Sequence, residues 1–391
     1  MRFSERSQTI QPSATLSISA RASELQEEGV DVVSFGAGEP DFPTPEPVKE
    51  AGRKAIDENF TGYTAASGHP DLKGAVIDKL KRDQDLQYKN EQISIGCGAK
   101  HVLYNLMGTL LNPGDEALIF APYWVSYPQQ IRYFGGRPSI VDTSASSFEP
   151  DPEKVRAAIT DKTQLMLVNS PANPTGKIYR KELLEKLARI AVEEDIYLIS
   201  DEVYEKLIYG ESEHHSPASL GDEIRKRVIV VNGVSKAYSM TGWRIGYAAG
   251  PAEVIAKLNT LMSHSTSNPC SISQKAAIRA LQLPDSEIAE MVEEFGRRRD
   301  RIHEMLNEIS GISCLKPGGA FYAFPDVSEL IASKEEVATD MQLAARLLDD
   351  VHVATVPGTP FGAPGFMRLS YANSMERIEE GVSRIEEWVS G

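Results

Sequence analysis

Cysteine is scarce in this chain, with three among 391 residues, and Cys97, Cys270 and Cys314 stand at no metal-ligand spacing. An odd, scattered set excludes a disulfide framework and a cysteine-based zinc site. Basic residues are outnumbered too, 41 Lys and Arg against 56 Asp and Glu, for a formal net charge of -15. That balance argues against nucleic acid and anionic membranes as partners. No apolar run approaches the length of a transmembrane helix. The opening residues, MRFSERSQTIQPS, lack the apolar centre of a signal peptide, so a cytoplasmic protein is expected. What remains is ordinary for a soluble globular protein, 41% hydrophobic and 25% charged. The length allows one large domain and one smaller.

The most informative stretch is 228–246, VIVVNGVSKAYSMTGWRIG. Its β-branched run predicts a buried strand, closed by the turn signal Asn232-Gly233. Lys236 follows at once. An amine delivered at the end of a buried strand is poorly solvated, which lowers its pKa toward the nucleophilic range. Such an amine can form a Schiff base with a carbonyl. Eight positions on stands Arg244, a rigid fork suited to a phosphate. A solvated lysine and a surface ion pair would be the commoner outcome, but the spacing G-x-S-K-x5-G-x-R-x-G sets that reading aside.

Elsewhere strands alternate with helices, and the strand ends carry the unusual residues. A polar arm leads to Pro12, expected at a helix start, and a helix to about Glu28. The strand 32–35 runs into Gly36-Ala37-Gly38-Glu39-Pro40-Asp41-Phe42, either a backbone held close to a ligand or a plain glycine-rich loop. After a helix at 45–58 comes Tyr63, five residues before a glycine, which alone is more often a packed turn aromatic. The strand 92–95 leads to Gly96-Cys97-Gly98-Ala99-Lys100 and a helix from about His101, where free amides make an anion site. There is no G-x-G-x-x-G, which disfavours a dinucleotide. Strands at 116–120, 165–168 and 196–200 end in APYWVSY, NSPANPTG and DEVY. Read singly, these are core aromatics, a turn and a helix cap; strand ends are also where α/β sheets place ligands. A charge-dense run, 287–308, predicts a long exposed helix joining two domains. Short strands at 321–324 and 367–370 follow, an α+β pattern. Within the second, Arg368 is a cation in an apolar strand and needs an anionic partner, from a salt bridge or a ligand.

In chain order GEPDF, APYW, NPTG, DEVY, SKAYSMTGWRIG and RLSYA closely resemble the motifs of class-I aminotransferases, which use pyridoxal 5'-phosphate. The resemblance spans essentially the whole chain. It implies an α/β, fold-type-I PLP-dependent transferase: a large, mostly parallel sheet domain at 45–290 and a smaller α+β domain at 291–391, joined by residues 1–44. It implies that Lys236 carries the cofactor and moves the substrate's α-proton. Asp201 would meet the ring nitrogen, Trp124 would stack on the ring, and Asn173 and Tyr204 would fix its 3'-oxygen. Gly98, Ala99, Lys100, Ser235 and Arg244 would hold the phosphate. Arg368 and Gly38 would take the substrate α-carboxylate, with Trp124 and Asn173 beside it. Tyr63, and less clearly the hydroxyls of 263–267, would reach the phosphate of the other subunit in a homodimer with shared active sites.

PSAT near the start and Lys100 resemble the aspartate/prephenate subgroup, in which Thr15 and Lys100 would meet the distal carboxylate. Two positions depart from the pattern: Gly233 stands where related aspartate enzymes have a phosphate-binding serine, and Gln11 where prephenate users tend to have lysine. The expected reaction is amino transfer between aspartate and 2-oxoglutarate, with amino acids and 2-oxo acids as partners. The same parts serve prephenate, aromatic and kynurenine aminotransferases and C–S lyases. A PLP-sensing transcription regulator would need a DNA-binding domain for which there is no basic segment, and a non-catalytic protein would not fill every catalytic position.

Overall fold

Strands supply the frame because the apolar runs read from the sequence pair with one another. The computed structural model describes residues 3–391, without the side chains of residues 14, 15, 16 and 19. The side chain of Thr15, expected near a distal carboxylate, thus lies outside the described residues. Among the described residues there are twelve strands: β1 Val33–Ser34, β2 Ile93–Gly96, β3 Glu116–Ala121, β4 Arg137–Asp142, β5 Thr163–Asn169, β6 Tyr197–Asp201, β7 Val228–Gly233, β8 Gly246–Ala249, β9 Tyr322–Ala323, β10 Val353–Ala354, β11 Val356–Pro357 and β12 Met367–Ser370. Seven form one sheet in the order β2-β8-β7-β6-β5-β3-β4. Only β8 runs antiparallel to its neighbours, β2 and β7; the remaining pairs are parallel. The sheet is therefore mostly parallel, as the α/β reading implies.

Burial on both faces follows from the side-chain alternation of a strand. In β5, Met166 and Val168 enter one apolar core, while Leu165 and Leu167 enter another. In β7, Val228 and Val230 join the first core, Ile229 and Val231 the second. Every residue of β7 is buried, so a polar residue that continues this strand emerges from a dry interior. The parallel strands β3, β5, β6 and β7 all point their C-terminal ends the same way. That edge is where an open α/β sheet presents ligand-binding residues.

Beside this sheet, β1 pairs in parallel with β10, and β11-β12-β9 form an antiparallel group. Residues near the start of the chain thus dock on residues near its end. Phe35 accepts a further bond from the Ser370 N–H at 2.9 Å. The long helix Ser286–Glu308 has the expected span, but it is not simply exposed. Phe295, Ile302 and Leu306 bury one face, and Arg298 grips both carboxylate oxygens of Asp41 at 2.8 and 2.9 Å. Charge density concealed an amphipathic stripe. Two helix starts also shift: Ala14–Glu27 begins after Pro12, with Ser13 as N-cap, and the helix expected from His101 begins at Ala99. The second shift matters, because it puts the amides of Ala99 and Lys100 in the first turn.

Candidate active site

At the C-terminal edge of the sheet lies a cavity of about 600 Å³. Gly38, Ala99, Lys100, Trp124, Asn173, Asp201, Tyr204, Ser235, Lys236, Arg244 and Arg368 all line it, gathered from segments more than 300 residues apart. Most come from strand ends or the turns beside them; Ala99 and Lys100 come from the first turn of the helix Ala99–Leu110, and Arg368 from inside β12. Gly98 sits beside the cavity against Arg244. Tyr63 does not line it: the ring is 95% exposed, projecting into solvent.

Charge is the distinguishing feature. In a chain of net charge -15, Lys100, Lys236, Arg244 and Arg368 face one cavity, against Glu39 and Asp201. Burial pulls Lys236 down to about 8; Glu39 opposes this, and Arg244, Arg368 and Lys100 reinforce it. Its Nζ donates to the Gly38 carbonyl. Lys100 is also lowered, by burial and then by Arg244, and its Nζ stands 4.9 Å from the Trp124 ring centre. Arg368 is 2% exposed. It donates to Asn173 Oδ1 at 3.2 Å and Gly36 O at 3.0 Å, lies 4.5 Å from the Tyr322 ring centre, and leaves Nε without a partner. A buried guanidinium held on two neutral oxygens is short of an anion.

Asp201 has the complementary shortage. Its carboxyl is pushed up to about 6 by burial, against the Tyr127 hydroxyl, which donates to Oδ2 at 2.7 Å, and the Val203 amide. A carboxylate this dry is ready for a cationic N–H donor. Tyr204 shares a 3.0 Å hydrogen bond with Tyr322. Because Asn173 Oδ1 accepts from Arg368, its amide nitrogen remains available as a donor.

Across the cavity the helix Ala99–Leu110 opens with Gly98 as N-cap at φ +89, a conformation that favours glycine. A side chain at Gly98 would strike Arg244, and one at Gly246 would strike the Ala99 amide. His101 makes the first amide bond back to Gly98 O, at 3.1 Å, so Ala99 and Lys100 present their amides ahead of it. Arg244 Nη1 donates to Thr241 O at 2.6 Å and Nη2 to Cys97 O at 3.4 Å. Helix dipole, amides and guanidinium together form a cup for a doubly charged anion.

With this geometry, the comparisons with known proteins follow one line. Residues 30–385 match the family model described as "Aminotransferase class I and II". The chain belongs to the class I and II aminotransferases. It is 48% identical over 388 residues to the aspartate aminotransferase of Bacillus sp. (strain YM-2), covering 99% of each chain. It is 43% identical to the aspartate/prephenate aminotransferase of Cereibacter sphaeroides (strain ATCC 17029 / ATH 2.4.9), covering 98% of this chain and 97% of that one. Among solved structures, the aspartate aminotransferase of Thermus thermophilus with maleate superposes with a TM-score of 0.93 at 44% identity, covering 99% of this chain and 100% of that one. The protein is thus an aminotransferase of the expected fold class.

Some residues at this aminotransferase site escaped the sequence reading. Tyr127 lies inside the quoted APYWVSY, but only the fold reveals that its hydroxyl reaches Asp201. Tyr322 and Glu39 also line the cavity, and Glu39 accepts from the Thr241 hydroxyl at 2.6 Å. On the opposite face of the sheet, Glu202, Glu205 and His214 lie within 4.8 Å of one another, a spacing that could suit a metal. Protein donors already fill these carboxylates. Glu202 accepts from Ser200 at 2.8 Å, Ser216 at 2.6 Å and Gln84 at 3.2 Å, and Glu205 from Gln84 at 2.8 Å and from Lys79. This group is a structural network.

Proposed function

We propose that this aminotransferase exchanges the amino group of L-aspartate with 2-oxoglutarate, giving oxaloacetate and L-glutamate, with pyridoxal 5'-phosphate as cofactor. The observation that carries the proposal is the cavity itself: four cations in an acidic chain, one of them a buried arginine with an unpartnered Nε. A dicarboxylate substrate and a phosphate need that many positive groups once water is excluded. The residues present fit the cofactor. The cup of Ala99 and Lys100 amides with Arg244 suits its phosphate, with Gly98 and Ser235 beside it. The dry carboxyl of Asp201 suits a protonated ring nitrogen, and Asn173 and Tyr204 can donate to the 3'-oxygen. Trp124 offers its ring face.

When bound, the cofactor supplies an electron sink for charge developing at the substrate's α-carbon. Lys236 would hold the cofactor, and its Nζ, an amine that burial brings down to about 8 in this cavity, is the group to take and return the α-proton. Arg368 and Gly38 hold the α-carboxylate, which orients the α-hydrogen toward Lys236. Lys100, with Thr15, takes the distal carboxylate. Asp201 holds its charge against the ring nitrogen, kept in place by Tyr127. We assign the large domain to residues 45–290 and the smaller one to residues 291–391, joined by the N-terminal segment through the β1-β10 pair. Tyr63, 95% exposed in one chain, is assigned to the partner's site in a homodimer. Three free thiols suit a reducing cytoplasm.

A panel of amino donors against 2-oxoglutarate tests the reading, with prephenate as a second acceptor. Aspartate should give the highest kcat/KM. Phenylalanine equal to or better than aspartate would overturn the dicarboxylate assignment.

A further inference from the structure

His101 directly follows Lys100 of the cup, and none of the roles above uses its side chain. Its ring nitrogens make two different bonds. Nδ1 is 3.2 Å from the backbone N–H of Cys97, and Nε2 is 3.1 Å from Thr266 Oγ1. A backbone N–H can only donate, so Nδ1 must be the acceptor and the ring hydrogen must sit on Nε2, donating to Thr266. Thr266 passes its own hydrogen to Ser267 O at 3.4 Å. The tautomer is therefore set by the partners. Burial lowers the imidazole's pKa, which keeps the accepting lone pair available at neutral pH.

The two peptide groups that flank the Cys97 α-carbon are each held. His101 takes its N–H, and Arg244 Nη2 donates to its carbonyl at 3.4 Å. The next residue, Gly98, is the N-cap at φ +89, folded back so that its N–H reaches Gly96 O at 2.8 Å. The direction of the Ala99 and Lys100 amides depends on this turn, and so does the approach of Arg244. We infer that His101 is a positioning residue for the phosphate cup: bridging Cys97 to Thr266, it holds the Cys97–Gly98 turn so that amides and guanidinium converge on one anion. This rests on the phosphate reading above and extends it to a residue that touches no ligand.

The test compares pyridoxal 5'-phosphate with pyridoxal, which lacks the phosphate. Holoenzyme is stripped and titrated with each, in wild type, His101→Leu and His101→Gln. Capture of the carbonyl by Lys236 is common to both ligands and cancels in their ratio. His101→Leu should reduce the preference for the phosphorylated form roughly tenfold, the scale of one buried hydrogen bond left unmade. His101→Gln, whose amide oxygen can accept from Cys97, should recover most of it. His101→Ala, which also removes the acceptor for the Cys97 N–H, should lose as much as the leucine variant, and it keeps the test open if the leucine variant does not fold. An unchanged preference in the leucine and alanine variants, equal losses for both ligands, or failure of glutamine to rescue would each overturn the positioning role. A wild type without preference for the phosphorylated ligand would remove the cup itself, and this inference with it.

Discussion

Asp201 and Glu202 are neighbours in sequence, and their carboxylates point to opposite faces of the sheet. Both are buried, at 4% and 0% exposure. Asp201 has one hydroxyl and one long amide contact, and burial leaves its carboxyl raised to about 6. Burial raises Glu202 too, but His214, Ser216 and Ser200 outweigh it, so Glu202 is held below the ordinary range. On the reverse side the two carboxylates are met by the protein's own donors, although Gln84 Oε1 and His214 Nδ1 beside them have no partner; the cavity side leaves its charged groups themselves short of cation and anion partners. Buried polar groups that the chain satisfies hold the fold together, and those it leaves wanting mark where a ligand completes the structure.

Substitutions on the two faces should therefore fail in different ways. The largest effect is expected for Lys236→Ala, a loss of at least about a thousandfold in kcat, because it removes the proton carrier. Its unfolding midpoint should stay close to wild type; a variant that melts early instead would erase the contrast. Lys79→Ala should do the reverse. Lys79 is 1% exposed and paired with Glu205, so truncation strands a buried charge at about 3–5 kcal/mol. Urea unfolding measures this, and a loss under 1 kcal/mol would show the network to be dispensable.

Arg368→Lys comes next. A point charge cannot reproduce the fork, so kcat/KM should fall by about 1.5–3 kcal/mol for aspartate and glutamate alike, with stability unchanged. Equal kinetics in variant and wild type would remove Arg368 from the site. Lys100→Ala sharpens the cavity side further. One charge-assisted bond to the distal carboxylate is worth about ten- to a hundredfold. Aspartate should therefore lose more than phenylalanine in PLP-saturated enzyme, and equal losses would reassign Lys100 to the phosphate alone.

The smallest effect separates the two carboxylates themselves. Asp201 binds its proton more tightly when folded, so the cofactor-free protein should lose stability as pH rises from about 4 to about 6. Glu202 binds its proton less tightly when folded than its ordinary 4.5, so its contribution is present above that pH and is lost as pH falls through the lower folded value. Asp201→Asn should flatten the first slope and Glu202→Gln the second. Stability profiles that change in the same sense would contradict the opposition of the two faces.

Much of the site was legible because strand ends and turns leave local marks. Lys236 follows a β-branched run and Asn-Gly, and Arg368 is a charge inside an apolar strand. Both are statements about desolvation that a linear sequence can carry. Tyr127 and His101 left no such mark. An aromatic after a strand and a histidine in a first helical turn are ordinary in sequence, and each gains meaning only from a partner, 74 residues away for Tyr127 and 165 for His101.

By itself, then, the sequence determined the fold class, the order of strands and helices, the family and the place of Lys236 just past a buried strand, since these follow from periodicity, turn chemistry and motif spacing along the chain. Tertiary structure alone decided which buried polar groups are satisfied and which are not. It put Asp201 at the cavity and Glu202 in the network, set the ring hydrogen of His101, and began the helix beside Arg244 at Ala99. The physical reason is that hydrogen-bond supply and desolvation depend on neighbours brought together by sheet pairing, and a side chain one residue along a strand meets the opposite face.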